Sequence, residues 1–171
     1  MSTVAMMVAM TPSGIIGVNG GMPWHYPADM RRFKSLTMGH VVIMGRRTWE
    51  SLPKGLPGRR CMVLTRQGVA ASGADCECYG GVDAALLSSF SDQHGEWKDP
   101  IWIIGGEETY REMGFAADVL DVTIVPEIEV PEGAHVSRFP VEVLEQFVLV
   151  CEERDGEDPR LTHHHYRKPN C

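Results

Sequence analysis

His40-Val41-Val42-Ile43-Met44-Gly45-Arg46-Arg47-Thr48-Trp49-Glu50-Ser51-Leu52 decides the fold of this chain. Residues 41–44 are a continuous apolar run, too short for a helix and suited to a strand covered on both faces. The run passes through Gly45 straight into residues 46–52, which read as a short helix stopped by Pro53. A strand that hands directly to a helix is the repeating half-unit of an α/β sheet. The pattern recurs at Ile101-Trp102-Ile103-Ile104, which ends at Gly105-Gly106 before a helical stretch at 107–113.

Working outward, Val4–Met10 reads as a first strand, apolar on both faces. Strands are expected at 60–65, 76–79 and 120–125, with loops at 66–75 and 91–99. A helix is expected at 82–90 with Leu86, Leu87 and Phe90 inward. Residues 147–150 and 161–166 flank the turn signal Asp155-Gly156-Glu157-Asp158-Pro159, which predicts an antiparallel hairpin. The expected class is α/β: one domain over 1–171, with a central mixed, mostly parallel sheet flanked by helices and ending in that hairpin. There is no internal repeat, low-complexity run or dividing linker.

Upstream lies Ile16-Gly17-Val18-Asn19-Gly20-Gly21-Met22-Pro23-Trp24-His25-Tyr26-Pro27-Ala28-Asp29-Met30-Arg31-Arg32-Phe33-Lys34. A glycine-rich loop runs into an amphipathic helix over 27–38, with Pro27 suited to its first position. Asp29 lies among Met30, Phe33 and Leu36. Positions 29, 33 and 36 share a face, apolar apart from the one carboxylate. Such a carboxylate either caps its own helix or binds something cationic. Gly17, Gly20 and Gly21 give the loop freedom, and Met22, Pro23 and Trp24 give it an apolar tip, which together suggest a lid over a pocket.

The net charge of −7 over 171 residues argues against nucleic acid as a partner, because phosphate binding needs a basic surface. The five cysteines (Cys61, Cys76, Cys78, Cys151 and Cys171) form no CxxC pair and predict free thiols in a cytoplasmic protein. No run approaches the ~18 apolar residues of a membrane span. His163-His164-His165 near Cys151 and Cys171 raises a metal reading. No second ligand pair has ligand spacing, so an exposed edge strand and no metal are expected.

Both strand-to-helix junctions carry phosphate-binding features. Gly45-Arg46-Arg47-Thr48 offers two arginines and a hydroxyl, and Gly105-Gly106-Glu107-Glu108-Thr109-Tyr110 offers glycines at a helix start. Arg66, just past the strand end at Leu64-Thr65, adds a third anion contact. Together they suggest a dinucleotide held at more than one point, without the GxGxxG fingerprint.

The assembled segments resemble the dihydrofolate reductase family of the monomeric, chromosomal type. They are Ile15-Ile16-Gly17, Met22-Pro23-Trp24, Pro27-Ala28-Asp29 with Phe33-Lys34, residues 42–51, Leu56-Pro57-Gly58-Arg59, Leu64-Thr65-Arg66, Ile104-Gly105-Gly106 through Tyr110, and Phe139-Pro140. The resemblance covers roughly residues 4–140 in the family's order. It implies NADPH-dependent reduction of dihydrofolate to tetrahydrofolate, a monomer, and binding of diaminopyrimidine antifolates.

In that resemblance Asp29 is the acid that meets the pterin, supported by Thr123. Met7, Val8, Ala9, Met30, Phe33, Leu52, Leu56 and Ile104 wall the ring, and Arg59 and Lys34 meet the glutamate tail. Arg46, Leu64, Thr65 and Arg66 hold the adenosine 2′-phosphate end of NADPH. Gly45, Arg47 and Thr48 meet its pyrophosphate, with Glu107, Glu108 and Thr109 at the second helix start. Gly105-Gly106 matches the family's cis pair beside the nicotinamide. Ala9, Ile16, Gly20 and Tyr110 line the same side, and Met22 and Trp24 belong to the closing loop. Residues 126–138 depart from the family pattern, with no acid aligned to hold that loop. The rivals are a pyrimidine reductase of riboflavin synthesis on the same fold and a non-catalytic NADPH-binding protein.

Overall fold

The computed structural model describes residues 2–67, 75–91 and 95–170. Cys171, residues 68–74 of the expected loop at 66–75 and residues 92–94 of that at 91–99 lie outside the described residues, and the strand after the second loop begins at Lys98, inside its expected bounds. In chain order the elements are β1 (Val4–Met10), β2 (Ile15–Val18), α1 (Pro27–Thr37), β3 (His40–Gly45), α2 (Arg46–Glu50), β4 (Arg60–Leu64), β5 (Glu77–Tyr79) and α3 (Val82–Phe90). There follow β6 (Lys98–Ile103), α4 (Glu107–Met113), β7 (Val119–Ile124), β8 (Val136–Arg138), α5 (Val141–Leu144), β9 (Val148–Arg154) and β10 (Thr162–Arg167).

Among the described residues, the main sheet has the order β5-β4-β3-β6-β1-β7-β10-β9. Every pairing from β5 to β7 is parallel, and β10 runs antiparallel to both of its neighbours. The expected hairpin is therefore present, but β10 is an interior strand and β9 is the edge.

Alternation in the strands divides the core in two. Met6, Val8, Ile43, Met62, Ile103 and Tyr110 belong to one cluster, with Leu86 of α3 and Met113 of α4. Ala5, Met7, Val42, Met44, Val63 and Trp102 belong to the other, against which Phe33 and Leu36 of α1 pack. The carboxyl ends of β1, β3, β4 and β6 open onto the edge where ligands bind in doubly wound sheets.

Three expectations need correction. In α3 the buried face is Ala85, Leu86 and Ser89, while Leu87 and Phe90 are exposed. Leu87 and Phe90 sit about 100° round the helix from Leu86 and Ser89, so apolarity misled where spacing would not. Second, the glycine-rich stretch is not a free loop. Residues 15–18 form β2, paired antiparallel with β8. Asn19 and Gly20, at φ 50° and 81°, make the tight turn from Val18 to Gly21. The Asn19 amide donates to the His135 carbonyl at 2.8 Å, and the His135 amide donates to Asn19 Oδ1 at 3.0 Å. The turn at Asn19 is thus tied to 126–138, the segment that lacks the family's aligned acid. Third, His163 is not on an exposed edge; it is buried.

Candidate active site

Asp29 occupies the first turn of α1. The N-cap residue Tyr26 makes no side-chain cap, so the helix start is not closed by a capping hydrogen bond from that residue. Burial raises the Asp29 pKa above its ordinary value. Hydrogen bonding by Thr123 and the charges of His163 and Arg32 pull it back, and Asp121 pushes the same way as burial. This is a half-buried carboxylate under strong local control, the environment expected of a functional acid.

The apolar surroundings are present but unevenly. Phe33, Leu52, Leu56 and Ile104 are partly buried against the core cluster that holds Met7. Ala9 packs with Ala28, Trp24 and Tyr26. Val8 alternates to the opposite side of the sheet, into the cluster of Met6 and Tyr110, so its side chain does not wall the α1 side. Met30 is 49% exposed and Met22 54%. Trp24 Nε1 is buried with no hydrogen-bond partner among the described residues. Such a donor costs about 1–3 kcal/mol if it stays unmade.

Past the C-terminal end of α1, Arg59 Nε donates to the Pro57 carbonyl at 3.1 Å and Nη1 to Thr37 Oγ1 at 3.3 Å. No carboxylate lies within ion-pair distance of it among the described residues, and partial burial lowers its pKa. A guanidinium held by neutral oxygens keeps its charge for an incoming anion. Lys34 is exposed one turn away on α1.

The two junctions meet. A Cβ on Gly45 would fall 2.8 Å from Thr109 Oγ1, so only glycine fits there without displacement. Gly106 faces Thr48 Oγ1, and the Gly105–Gly106 peptide is cis. Tyr110 is fully buried and its hydroxyl donates to the Met7 carbonyl at 2.6 Å. Burial pushes its pKa far up, so it pins α4 to β1 and carries no mobile proton. Beyond the junctions, a cleft of about 480 Å³ is lined by Arg46, Leu64, Thr65, Arg66, Gly81 and Glu108. Arg46 also approaches Glu50 at 3.9 Å, and Arg47 is exposed. Glu107 pairs with Arg111, and Ile16 packs at the edge of the α4-side core.

Of the groups near Asp29 the sequence reading named Thr123 and missed Arg32, Asp121, Asp155 and His163. Thr123 and Asp121 share a face of β7, opposite His163 and His165 of β10. Thr123 Oγ1 lies 3.0 Å from His163 Nδ1, and His163 Nε2 lies 2.6 Å from Asp155 Oδ2. Desolvation would raise Asp155, but hydrogen bonds from His163 and from the Asp158 and Glu157 amides win and hold it at about 2. Arg32, one turn from Asp29, grips Asp121 with two bonds of 2.7 and 2.8 Å. The i, i+3 spacing of Asp29 and Arg32 and the alternation of Asp121 and Thr123 were the available signals.

A family model for dihydrofolate reductase matches residues 3–167. Dihydrofolate reductase of Mycobacterium leprae is 47% identical over 115 residues, covering 65% of each chain. That of Mycobacterium tuberculosis H37Rv is 40% identical over 145 residues, covering 82% of each. The chain thus spans just under two thirds of the length of the first relative and more of the second. Among solved structures, dihydrofolate reductase from Enterococcus faecalis, complexed with NADP(H) and RAB-propyl, superposes with a TM-score of 0.79. It is 24% identical and the match covers 98% of this chain and 97% of that one, a likeness of fold.

Proposed function

Since the chain belongs to the dihydrofolate reductase family, as the family match and its relatives show, we propose that it reduces 7,8-dihydrofolate to 5,6,7,8-tetrahydrofolate with NADPH. The observation that carries the reading is Asp29, a half-buried carboxylate on α1, the helix whose Phe33 and Leu36 pack on the sheet, together with the glycine junctions that the Gly45–Gly105 hydrogen bond joins. A pyrimidine reductase of riboflavin synthesis has no use for a cation held like Arg59, and that alternative is not favoured.

The residues fit the cofactor. Gly45 admits no side chain because Thr109 Oγ1 fills the place of its Cβ, which brings the starts of α2 and α4 together, and Arg46, Thr65 and Arg66 surround a cleft suited to a phosphorylated ribose. Arg47 and Thr48 stand at the start of α2 for the pyrophosphate. When bound, NADPH supplies the hydride that adds to C6 of the pterin, while N5 takes a proton from solvent.

The protein's part is position, dryness and one charge. The Asp29 carboxylate accepts hydrogen bonds from the pterin 2-amino group and N3. Thr123 holds the acid and faces the same amino group. An ionised acid in a poorly hydrated cleft raises the proton affinity of N5, which makes C6 a better hydride acceptor. Phe33, Leu52, Leu56 and Ile104 exclude water from the ring. Arg59, with Lys34 nearby, pairs with the glutamate α-carboxylate. Trp24 offers its indole N–H to the ligand side. The same acid accepts two bonds from a 2,4-diaminopyrimidine, which makes such compounds inhibitors.

The enzyme acts as a monomer, without nucleic acid, in the cytoplasm. No helix among the described residues is long and apolar enough to cross a membrane.

The direct experiment follows absorbance at ~340 nm with purified protein, NADPH and dihydrofolate, where the reduced nicotinamide is consumed by hydride transfer. Loss of absorbance only when both are present is expected. NADPH binding without turnover would leave a non-catalytic binding protein.

A further inference from the structure

The cleft that takes in Arg46 and Arg66 is lined by charges of both signs. The two arginines follow β3 and β4. Glu108 and Glu112 line the same space from α4, which follows β6 on the other side of β3.

Helix physics accounts for only one of the three acids on α4. Glu107 stands in the first turn, where an acid suits the helix dipole, and it pairs with Arg111 at 3.4 Å. Glu108 and Glu112 are four residues apart and share a face as like charges, which weakens a helix. Glu112 also stands in the last turn, where the dipole disfavours an acid. Both are exposed, and neither belongs to an ion pair among the described residues. Arg111 is taken by Glu107 and Glu142, and Arg46 leans toward Glu50 at 3.9 Å. What the pair faces is the cleft.

The size of the cleft decides what these acids do there. A volume of about 480 Å³ is roughly 8 Å across, no more than the Debye length at physiological salt, so all four charges act on an ion inside it. In dinucleotide sites an arginine beside the ribose goes with a 2′-phosphate, and an acid there goes with a 2′-hydroxyl. The reason is chemical. A phosphate dianion repels a carboxylate, whereas a hydroxyl donates a hydrogen bond to one. This cleft holds both residue types.

We propose that Glu108 and Glu112 are specificity-determining residues, which oppose the 2′-phosphate that Arg46 and Arg66 attract and offer acceptors to a free 2′-hydroxyl, so that the site binds NADH as well as NADPH. Nucleotide choice is then a balance between two arginines and two acids. Glu50 beside Arg46, and Asp83 next to the lining residue Val82, add to the acid side of that balance. It has meaning only if the cleft holds the nucleotide's phosphorylated ribose, as proposed above.

Calorimetric titration tests this with four probes: NADPH, NADH, and the nicotinamide-free fragments adenosine 2′,5′-bisphosphate and adenosine 5′-monophosphate. Glu108→Gln and Glu112→Gln keep a hydrogen-bond acceptor and remove the charge. Each is expected to tighten NADPH and the bisphosphate about three- to tenfold, the range for one unit charge across a cleft of this width. NADH and the monophosphate are expected to stay within twofold or to weaken. The double variant is expected to exceed either single one. An equal gain for NADPH and NADH would reduce the acids to a part of the overall charge, and no change in either would take them out of the cleft. Both results overturn the proposal. If the parent binds NADPH and the variants give one of those results, this assignment alone falls. If the parent binds none of the four probes, the cofactor reading falls and takes this assignment with it.

Discussion

The Gly45 amide donates to the Gly105 carbonyl at 2.8 Å, so two strand ends far apart in sequence form one continuous floor. Gly45→Ala places a methyl 2.8 Å from Thr109 Oγ1 on that floor. The expected result is a loss of about 1–3 kcal/mol in stability and at least tenfold weaker NADPH binding. Thermal unfolding and fluorescence titration check the two. Unchanged affinity would mean that the junction does not hold the cofactor.

Asp29→Asn is expected to slow hydride transfer at neutral pH by about 10²-fold or more, while NADPH affinity changes only a few-fold. Burial raises the folded-state pKa of Asp29. A group raised in this way contributes stability below its unfolded value and loses it as pH rises through the folded one. At neutral pH the ionised acid is a net cost, so the Asn variant is expected to melt higher, by about 2–4 °C per kcal/mol recovered. The gain should close near pH 3, where both carboxyl states are protonated. A lower melting temperature at pH 7 would assign Asp29 a structural role.

How much of this was legible in the sequence differs from one element to the next. The junctions at Gly45 and Gly105 were readable because a covered parallel strand is apolar throughout and its helix follows at once. Asp29 was readable as the one acid on an apolar face. The pairing of β2 with β8 was hidden because both are short, and their partners lie more than a hundred residues apart. The burial of His163 was hidden for a different reason. A hairpin signal says that β9 and β10 pair, and does not say which of them docks on β7. Arg32 carried no signal of its own, because its partner Asp121 lies far along the chain and meets it only across the space between α1 and the sheet.

Arg46→Ala and Arg66→Ala are expected to weaken NADPH by tenfold or more and NADH by less than threefold, since only NADPH brings the 2′-phosphate. Parallel titrations with the two nucleotides measure this. Equal losses would move the phosphate out of the cleft lined by Arg46, Thr65 and Arg66.

Arg59→Ala is expected to raise the KM for dihydrofolate by about tenfold or more and to leave a pterin without a glutamate tail unaffected, because the lost pair is a charge-assisted one worth roughly 1.5–3 kcal/mol. Steady-state kinetics with both substrates separate the outcomes. An equal rise for the truncated pterin would make Arg59 a scaffold residue, held by Thr37 and Pro57 for its own sake.

The antiparallel strand β10 fills the gap between β7 and β9, and it brings His163 opposite Thr123. Synthesis proceeds from the amino terminus, so the acid on α1 is made well over a hundred residues before its backing. A nascent chain with Thr162–Arg167 still inside the ribosome has all the parallel strands and both glycine junctions but lacks the strand that backs β7. It leaves Thr123, beside Asp29, without His163 and Asp155 behind it. Ligand affinity should therefore switch on late, as the final strand slots home, and folate analogues should rescue folding only of chains that have emerged that far.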